Sequence, residues 1–229
     1  MINDQGYFKQ FPAPVFEGSC QDHIDTIINH TTPYYGPLLY WLVRCCGARY
    51  VAEIGIFMGY TSYFLASGVK DNMTRLSGAG QYYGVDISGK CAELQKKLRD
   101  KNLPATMIQM DSYDMNNKSF PGTSKFGLVF IDGWHSTQHL YKEIDTLWPM
   151  LHDKGRGYMV IHDVYGWVME PMQKILADPK YNKEVIRFPD NYGLAIIRKM
   201  DNYREDPSKT WPQGPQKDIR KEEDDKKKK

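Results

Sequence analysis

Residues Glu53-Ile-Gly-Ile-Phe-Met-Gly-Tyr-Thr61 form a glycine loop between two differently patterned segments. Before it, Tyr50 to Ile54 reads as a short buried strand; after it, Thr61 to Val69 reads as a helix. A glycine loop in that setting is a nucleotide-site candidate. The spacing narrows the choice of ligand. Gly55 and Gly59 are separated by three residues, which departs from GxGxxG, and no Walker lysine is present, so the loop suits pyrophosphate poorly. Gly55 lets the backbone approach a ligand without phosphates, and Gly59 allows close helix packing.

Outward from the loop the chain alternates. Gln81 to Asp86 reads as a strand and Gly89 to Lys101 as a helix, with a loop from Asp71 to Gly80 that looks inserted. Strands are expected at Ala105 to Met110, Phe126 to Asp132 and Gly157 to Asp163, and helices at Thr137 to Leu151 and Gly166 to Ala177. Two late strands, Glu184 to Phe188 and Gly193 to Lys199, flank the turn sequence Asp190-Asn-Tyr-Gly193 and suggest a hairpin. Upstream, Leu39, Leu42, Val43 and Cys46 recur at helical spacing between Gly36 and Cys46. The pattern predicts an α/β, Rossmann-like fold: a mostly parallel seven-stranded sheet with helices on both faces and a C-terminal antiparallel hairpin.

Three regions follow from composition. Residues 1–33 are polar, with Pro12, Pro14 and Pro33 as punctuation and a short helical pattern at His23 to Ile28, and read as an extension that could act as a lid with Tyr34 and Tyr35. Residues 34–200 form the folded domain. From Asp201 onward the chain is rich in Pro, Lys and Asp/Glu, too poor in apolar side chains to offset its ordering entropy, and reads as a flexible tail.

Formal net charge is +2, and Gln216 to Lys229 alone carries seven Lys/Arg against five Asp/Glu, so the remainder is near neutral and nucleic acid is not the expected partner. No stretch approaches the roughly 20 apolar residues of a membrane span. The four cysteines, Cys20, Cys45, Cys46 and Cys91, show no CxxC pair and read as reduced thiols. A cytoplasmic protein is expected, in which the Asn-x-Ser/Thr matches at Asn29, Asn72 and Asn117 occur by chance.

Carboxylates fall at the carboxyl ends of the expected strands, where open α/β sheets bind ligands. Asp86 is placed to accept hydrogen bonds from ribose hydroxyls, and Asp111 with Ser112 stands next in line, towards an adenine. Glu53 lies inside an apolar strand and needs a partner, backbone amides or a cationic ligand.

The glycine loop resembles the first motif of class I S-adenosylmethionine-dependent methyltransferases, closest to cation-dependent O-methyltransferases of catechols and caffeoyl-coenzyme A. Phe126-Gly-Leu-Val-Phe-Ile-Asp-Gly-Trp-His135, followed by Val160-Ile-His-Asp163, is similar to bacterial small-molecule methyltransferases with an Asp-Gly-x-His motif and a later His-Asp. The resemblance implies a methyl donor, S-adenosylmethionine, held by Glu53, Gly55, Phe57, Gly59, Tyr60, Thr61, Ser62, Asp86, Ile87, Asp111, Ser112 and Asp132.

It further implies a divalent cation on Asp132 and Asp163, with His162 as a third ligand or a structural histidine. Oxygen ligands suit Mg²⁺, whereas imidazole shifts preference towards Mn²⁺, Fe²⁺ or Zn²⁺. Asp132 and His135 are the catalytic candidates: the cation would lower the pKa of an acceptor hydroxyl, and His135 would take its proton. The alternative for His135 is a capping role. His139, four residues on, is expected to be exposed rather than a metal ligand. Trp134, Tyr165 and Trp167 could stack on a small acceptor, while Trp148 reads as core. A homodimer is common among such enzymes, but no stretch marks an interface. Two other readings remain: a nicotinamide-dependent oxidoreductase, which the Gly55/Gly59 spacing opposes, and a noncatalytic partner subunit, which the intact Asp132, His135 and Asp163 oppose.

Overall fold

The computed structural model describes residues 35–202 except 124, 135, 167 and 190–192. The expectations for residues 1–34, His135, Trp167, the hairpin turn 190–192 and the tail beyond 202 therefore lie outside the described residues.

The described chain is a single α/β layer structure. In order it runs α1 (Tyr35–Cys46), β1 (Tyr50–Ile54), α2 (Tyr60–Arg75), β2 (Gln81–Asp86), α3 (Cys91–Asp100), β3 (Ala105–Gln109) and β4 (Leu128–Ile131). It then continues with α4 (Thr137–Leu147), β5 (Gly157–His162), α5 (Met169–Ala177), β6 (Lys183–Phe188) and β7 (Leu194–Lys199). The seven strands lie in the order β3-β2-β1-β4-β5-β7-β6. The first five are parallel, and β7 runs antiparallel to both β5 and β6. The expected Rossmann-like sheet with an antiparallel end is the fold observed.

Strand alternation divides the core into two layers. Val51, Leu128, Phe130 and Val160 point to one face, where Leu39 and Val43 of α1, Leu65 and Val69 of α2 and Leu98 of α3 cover them. Ala52, Ile54, Val129, Ile131, Met159 and Ile161 point to the other, under Leu140 and Ile144 of α4 and Met172 and Ile175 of α5. Both faces are sealed, so the polar openings of the sheet are left to the strand ends.

Several boundaries differ from the expectation. Helix α2 continues to Arg75, so only 76–80 remain of the expected inserted loop. Its last turns look polar in sequence because their side chains bond α1 and the turn after it: the Asn72 amide donates to the carbonyls of Val43 at 2.8 Å and Ala48 at 2.9 Å. Asp71 accepts from the Tyr40 hydroxyl at 2.6 Å and pairs with Arg44 at 2.9 Å. Full burial of Asn72 also removes it as a glycosylation acceptor. Helix α4 stops at Leu147, and Trp148–Met150 tighten into a 3₁₀ turn because Pro149 has no amide to continue the ladder. Strand β4 is shorter than expected, with Phe126 held by an isolated bridge to Leu151. Helix α5 begins at Met169 rather than at Gly166.

Candidate functional site

Strand order reverses at β1, whose neighbours β2 and β4 lead to connections on opposite sides of the sheet. Their loops part at the carboxyl edge, where such sheets open a crevice. A cavity of about 480 Å³ lies there, lined by Gly55, Phe57, Asp86, Ile87, Asp111, Ser112 and Asp132 among the expected residues. Its flanks are apolar: Phe57, Ile87 and Trp134 are all exposed.

The glycine loop is built against the exit of β4. Gly55 has φ +84°, and a Cβ there would stand 2.1 Å from the Asp132 carbonyl oxygen, so only glycine permits this approach. The Gly55 amide donates to Val85 at 2.9 Å and the Asp132 amide to Ile54 at 2.8 Å, which binds the β2 and β4 exits to β1. Asp86 fastens the turn itself. One carboxylate oxygen accepts from the Ile56 amide at 2.7 Å and the Phe57 amide at 3.1 Å, and the other from the Ser88 amide at 2.7 Å. A carboxylate has roughly four acceptor positions, so about one is left for a ligand hydroxyl. Phe57 is itself left-handed at φ 48°, a conformation these bonds hold in place. Helix α2 opens after Gly59 with no acidic residue in its own first turn and no side-chain cap at Gly59.

Glu53, Thr61 and Ser62 do not line the cavity; they form a buried cluster behind it. The fully buried Glu53 carboxylate accepts from the hydroxyls of Thr61, Tyr82 and Ser62, the last at 2.6 Å. Burial pushes its pKa up to about 7, against the opposing pull of those three hydroxyls and with a further push from the charge of Asp132. The expected partner of Glu53, amide or cation, is thus a set of hydroxyls. Gly59 lies against Leu94 of α3, and the Tyr60 ring turns to Phe64, 5.2 Å away edge-on, and to Gly36 of α1.

Asp132, His162 and Asp163 converge from the ends of β4 and β5. One candidate ligand atom from each lies within 4.8 Å of the others, and His162 and Asp163 are buried. His162 Nδ1 stands 3.0 Å from Asp132 Oδ1 and 3.1 Å from Asp163 Oδ1. Burial alone would lower the pKa of the imidazole, but hydrogen bonds and charge from the two acids raise it to about 10. Asp163 has φ 59°, strain in a non-glycine residue of the kind that gathers at functional sites. The Tyr35 ring meets His162 edge-on at 5.0 Å, so this half of the Tyr34-Tyr35 pair packs against the cluster.

Other residues join the site from α4. His139, expected to be exposed, is largely covered: Nδ1 is 2.8 Å from the Ser136 hydroxyl and Nε2 is 3.3 Å from Asp111 Oδ1. It is drawn inward because Ser136 caps α4, accepting from the His139 amide at 3.2 Å. Asp111 caps in turn, accepting from the Tyr113 amide at 2.9 Å. Glu143 went unnoticed in the sequence. It is buried and accepts from the Ser112 hydroxyl at 2.5 Å, beneath Gly133. Its position among Leu140, Ile144 and Leu147, on the apolar face of α4, was the available signal. Trp148, as expected, is core, with its ring 5.1 Å from Tyr181.

A seven-stranded sheet in this order, with a glycine loop after β1 and acids after β2 and β4, defines the class I S-adenosylmethionine-dependent methyltransferase fold. The family model of a methyltransferase domain matches residues 52–164. Over that stretch, just under half of the chain, it is similar to a methyltransferase domain, and its fold is that of solved O-methyltransferases. No curated protein matches the sequence. Among solved structures, the chain is similar to the S-adenosylhomocysteine-bound methyltransferase PaMTH1 of Podospora anserina, at TM-score 0.62 and 15% identity over 86% of this chain and 94% of that one. It is similar to the O-methyltransferase TomG of Streptomyces achromogenes, involved in tomaymycin synthesis and solved with S-adenosylmethionine, at TM-score 0.59 and 16% identity over 87% and 99%. A putative caffeoyl-CoA O-methyltransferase of Staphylococcus aureus matches at TM-score 0.57 and 15% identity over 85% and 90%. Among the described residues, no helix is long and apolar enough to cross a membrane.

Proposed function

We propose that this protein is an S-adenosylmethionine-dependent O-methyltransferase, assisted by a divalent cation, that acts on a hydroxyl of a small molecule such as a phenol, a sugar or a natural product. One observation carries the reading: the cluster of Asp132 with the buried His162 and Asp163 shares Asp132 with the cavity beside the glycine loop. Two carboxylate oxygens and an imidazole nitrogen make a suitable donor set for such an ion. Asp132 and Asp163 both face the His162 imidazole, at 3.0 and 3.1 Å, so the place favours positive charge, and a cation there would take the position of the imidazole proton. Mg²⁺ is the ion proposed, and the imidazole makes Mn²⁺ its competitor.

In this reading the methyl donor lies along the carboxyl edge of the sheet. The backbone at Gly55 approaches its sulfonium end, the remaining acceptor position of Asp86 takes a ribose hydroxyl, and Ile87 and Trp134 flank the adenine. The named binding of S-adenosylhomocysteine by PaMTH1 and of S-adenosylmethionine by TomG supports S-adenosylmethionine as the donor. A divalent cation on Asp132, His162 and Asp163 would act as a Lewis acid, lowering the pKa of an acceptor hydroxyl. His135 accepts the hydroxyl proton as the oxygen–methyl bond forms and the sulfur–methyl bond breaks, leaving S-adenosylhomocysteine. Alignment of donor and acceptor and exclusion of water by the apolar flanks supply most of the rate. The proposed compartment is the cytoplasm, which the free thiols of Cys45, Cys46 and Cys91 support.

Calorimetry with S-adenosylmethionine and S-adenosylhomocysteine is expected to give binding heat, and a panel of phenols and sugars to reveal methyl transfer that EDTA or Asp163→Ala abolishes. Absence of heat with either compound sinks the donor assignment. Turnover untouched by EDTA, with Asp163→Ala fully active, sinks the metal assignment while leaving the donor assignment standing.

A further inference from the structure

A second cavity opens at the opposite edge of the sheet, among the amino ends of β1, β4 and β5. Its volume is about 450 Å³, within the range of small-molecule sites. Arg49, Lys125, His152 and Arg156 all line it, together with Tyr50 and Gly122, and no acidic side chain does. These four groups come from three separate connections: Arg49 from the one between α1 and β1, Lys125 from the one leading into β4, and His152 and Arg156 from the one leading into β5. Like charges gathered on one concave surface repel unless an anion joins them.

The surroundings do not supply that anion. Among the described residues none of the four forms an ion pair with a carboxylate. Asp153, the acid whose charge reaches His152 and Lys125, is held by the buried Lys199 at 2.7 Å. Lys125 is fixed by its ammonium donating to the carbonyls of Pro149 at 2.8 Å and Leu151 at 3.3 Å, which leaves about one proton of the three for another acceptor. Burial lowers the pKa of His152, and the charges of Arg156 and Lys125 lower it further, so the imidazole senses the positive field of the cavity. Arg49 and Arg156 add planar guanidinium forks, whose geometry matches the oxygens of a phosphate.

We propose that this cavity is a binding site for a phosphate-bearing small molecule, with Arg49 and Arg156 clamping the phosphate oxygens, Lys125 as a fixed point charge and Tyr50 beside the organic part. The site stands on the far side of the sheet from the glycine loop. It is independent of the methyl-transfer reading, and neither fails with the other.

The test uses the full chain and inorganic pyrophosphate as probe. Calorimetry at low and at raised salt is expected to show one site whose affinity weakens as salt screens the charges. Arg156→Gln, an exposed position whose replacement leaves the core intact, is expected to weaken binding at least tenfold, and Arg49→Gln combined with it to abolish binding. In proton NMR titrations, saturating pyrophosphate is expected to raise the pKa of His152, because the bound anion cancels the charges that depress it. Binding of S-adenosylhomocysteine should be unchanged in both variants. No pyrophosphate binding, or binding that persists in the double variant as it would on the terminal lysines Lys226–Lys229, overturns the proposal. So does a His152 titration that pyrophosphate leaves unmoved.

Discussion

Replacing Glu53 by glutamine is expected to remove a pH-dependent cost that the fold carries in its first strand. The carboxylate is fully buried, and burial, the leading cause, pushes its pKa from an ordinary 4.5 to about 7. The folded protein therefore keeps a proton on Glu53 up to about pH 7, whereas the unfolded chain releases it near 4.5. Between those values folding takes up a proton, so stability falls as pH rises through the window and levels off above it. Each pH unit of the gap is worth about 1.4 kcal/mol, which makes the full effect about 3 kcal/mol, a large share of the roughly 5–15 kcal/mol that holds a typical domain. Glutamine has nearly the same shape, and the hydroxyls of Thr61, Ser62 and Tyr82 can turn to meet both its oxygen and its amide.

The assay is urea unfolding of wild type and Glu53→Gln from pH 5 to pH 8, without added divalent cation. At pH 5 the two proteins should differ little; by pH 8 the variant should gain about 3 kcal/mol on the wild type, or roughly 1–2 M in urea midpoint. Comparing the two cancels His162 and every other titrating group they share. A stability difference that stays constant across the range refutes the reasoning.

Two further outcomes follow from the glycine loop. Gly55→Ala should cost roughly 3 kcal/mol, combining left-handed backbone strain with the overlap of the new Cβ on the Asp132 carbonyl, and a urea midpoint equal to wild type refutes it. Asp86→Ala deprives the Ile56, Phe57 and Ser88 amides of their acceptor; with water replacing part of it, stability should drop by roughly 2 kcal/mol. Calorimetry should then show far weaker S-adenosylhomocysteine binding, with Asp86→Asn in between; unaltered affinity in the alanine variant counts against the loop-fastening role.

The succession of strands along the chain and the placement of the acids were legible because both signals are local. Apolar runs of strand length mark β1 to β5, and Asp86, Asp111, Asp132 and Asp163 stand at or just beyond the ends of those runs, so an open α/β sheet carries them to one edge. Residues whose partners are remote were not legible in the same way. Asn72 and Asp71 read as loop because their helical role lies in bonds to α1. His139 read as exposed because its partner Asp111 belongs to the connection after β3. The basic cavity drew no notice, since Arg49, Lys125 and Arg156 are isolated in sequence and meet only when β1, β4 and β5 align.

What the sequence by itself determined was the architecture and which residues stand as candidates for the site, since period, glycine spacing and strand-end chemistry depend on neighbours in the chain. Only the tertiary structure decided how those candidates divide. Thr61 and Ser62 turn their hydroxyls back to Glu53, Asp86 spends three acceptor positions on backbone amides, and Asp132 faces both the cavity beside the glycine loop and His162. The physical reason is that a polar group in a closed interior takes whichever partner the packing brings within bonding distance. That partner is set by the register of strands far apart in sequence.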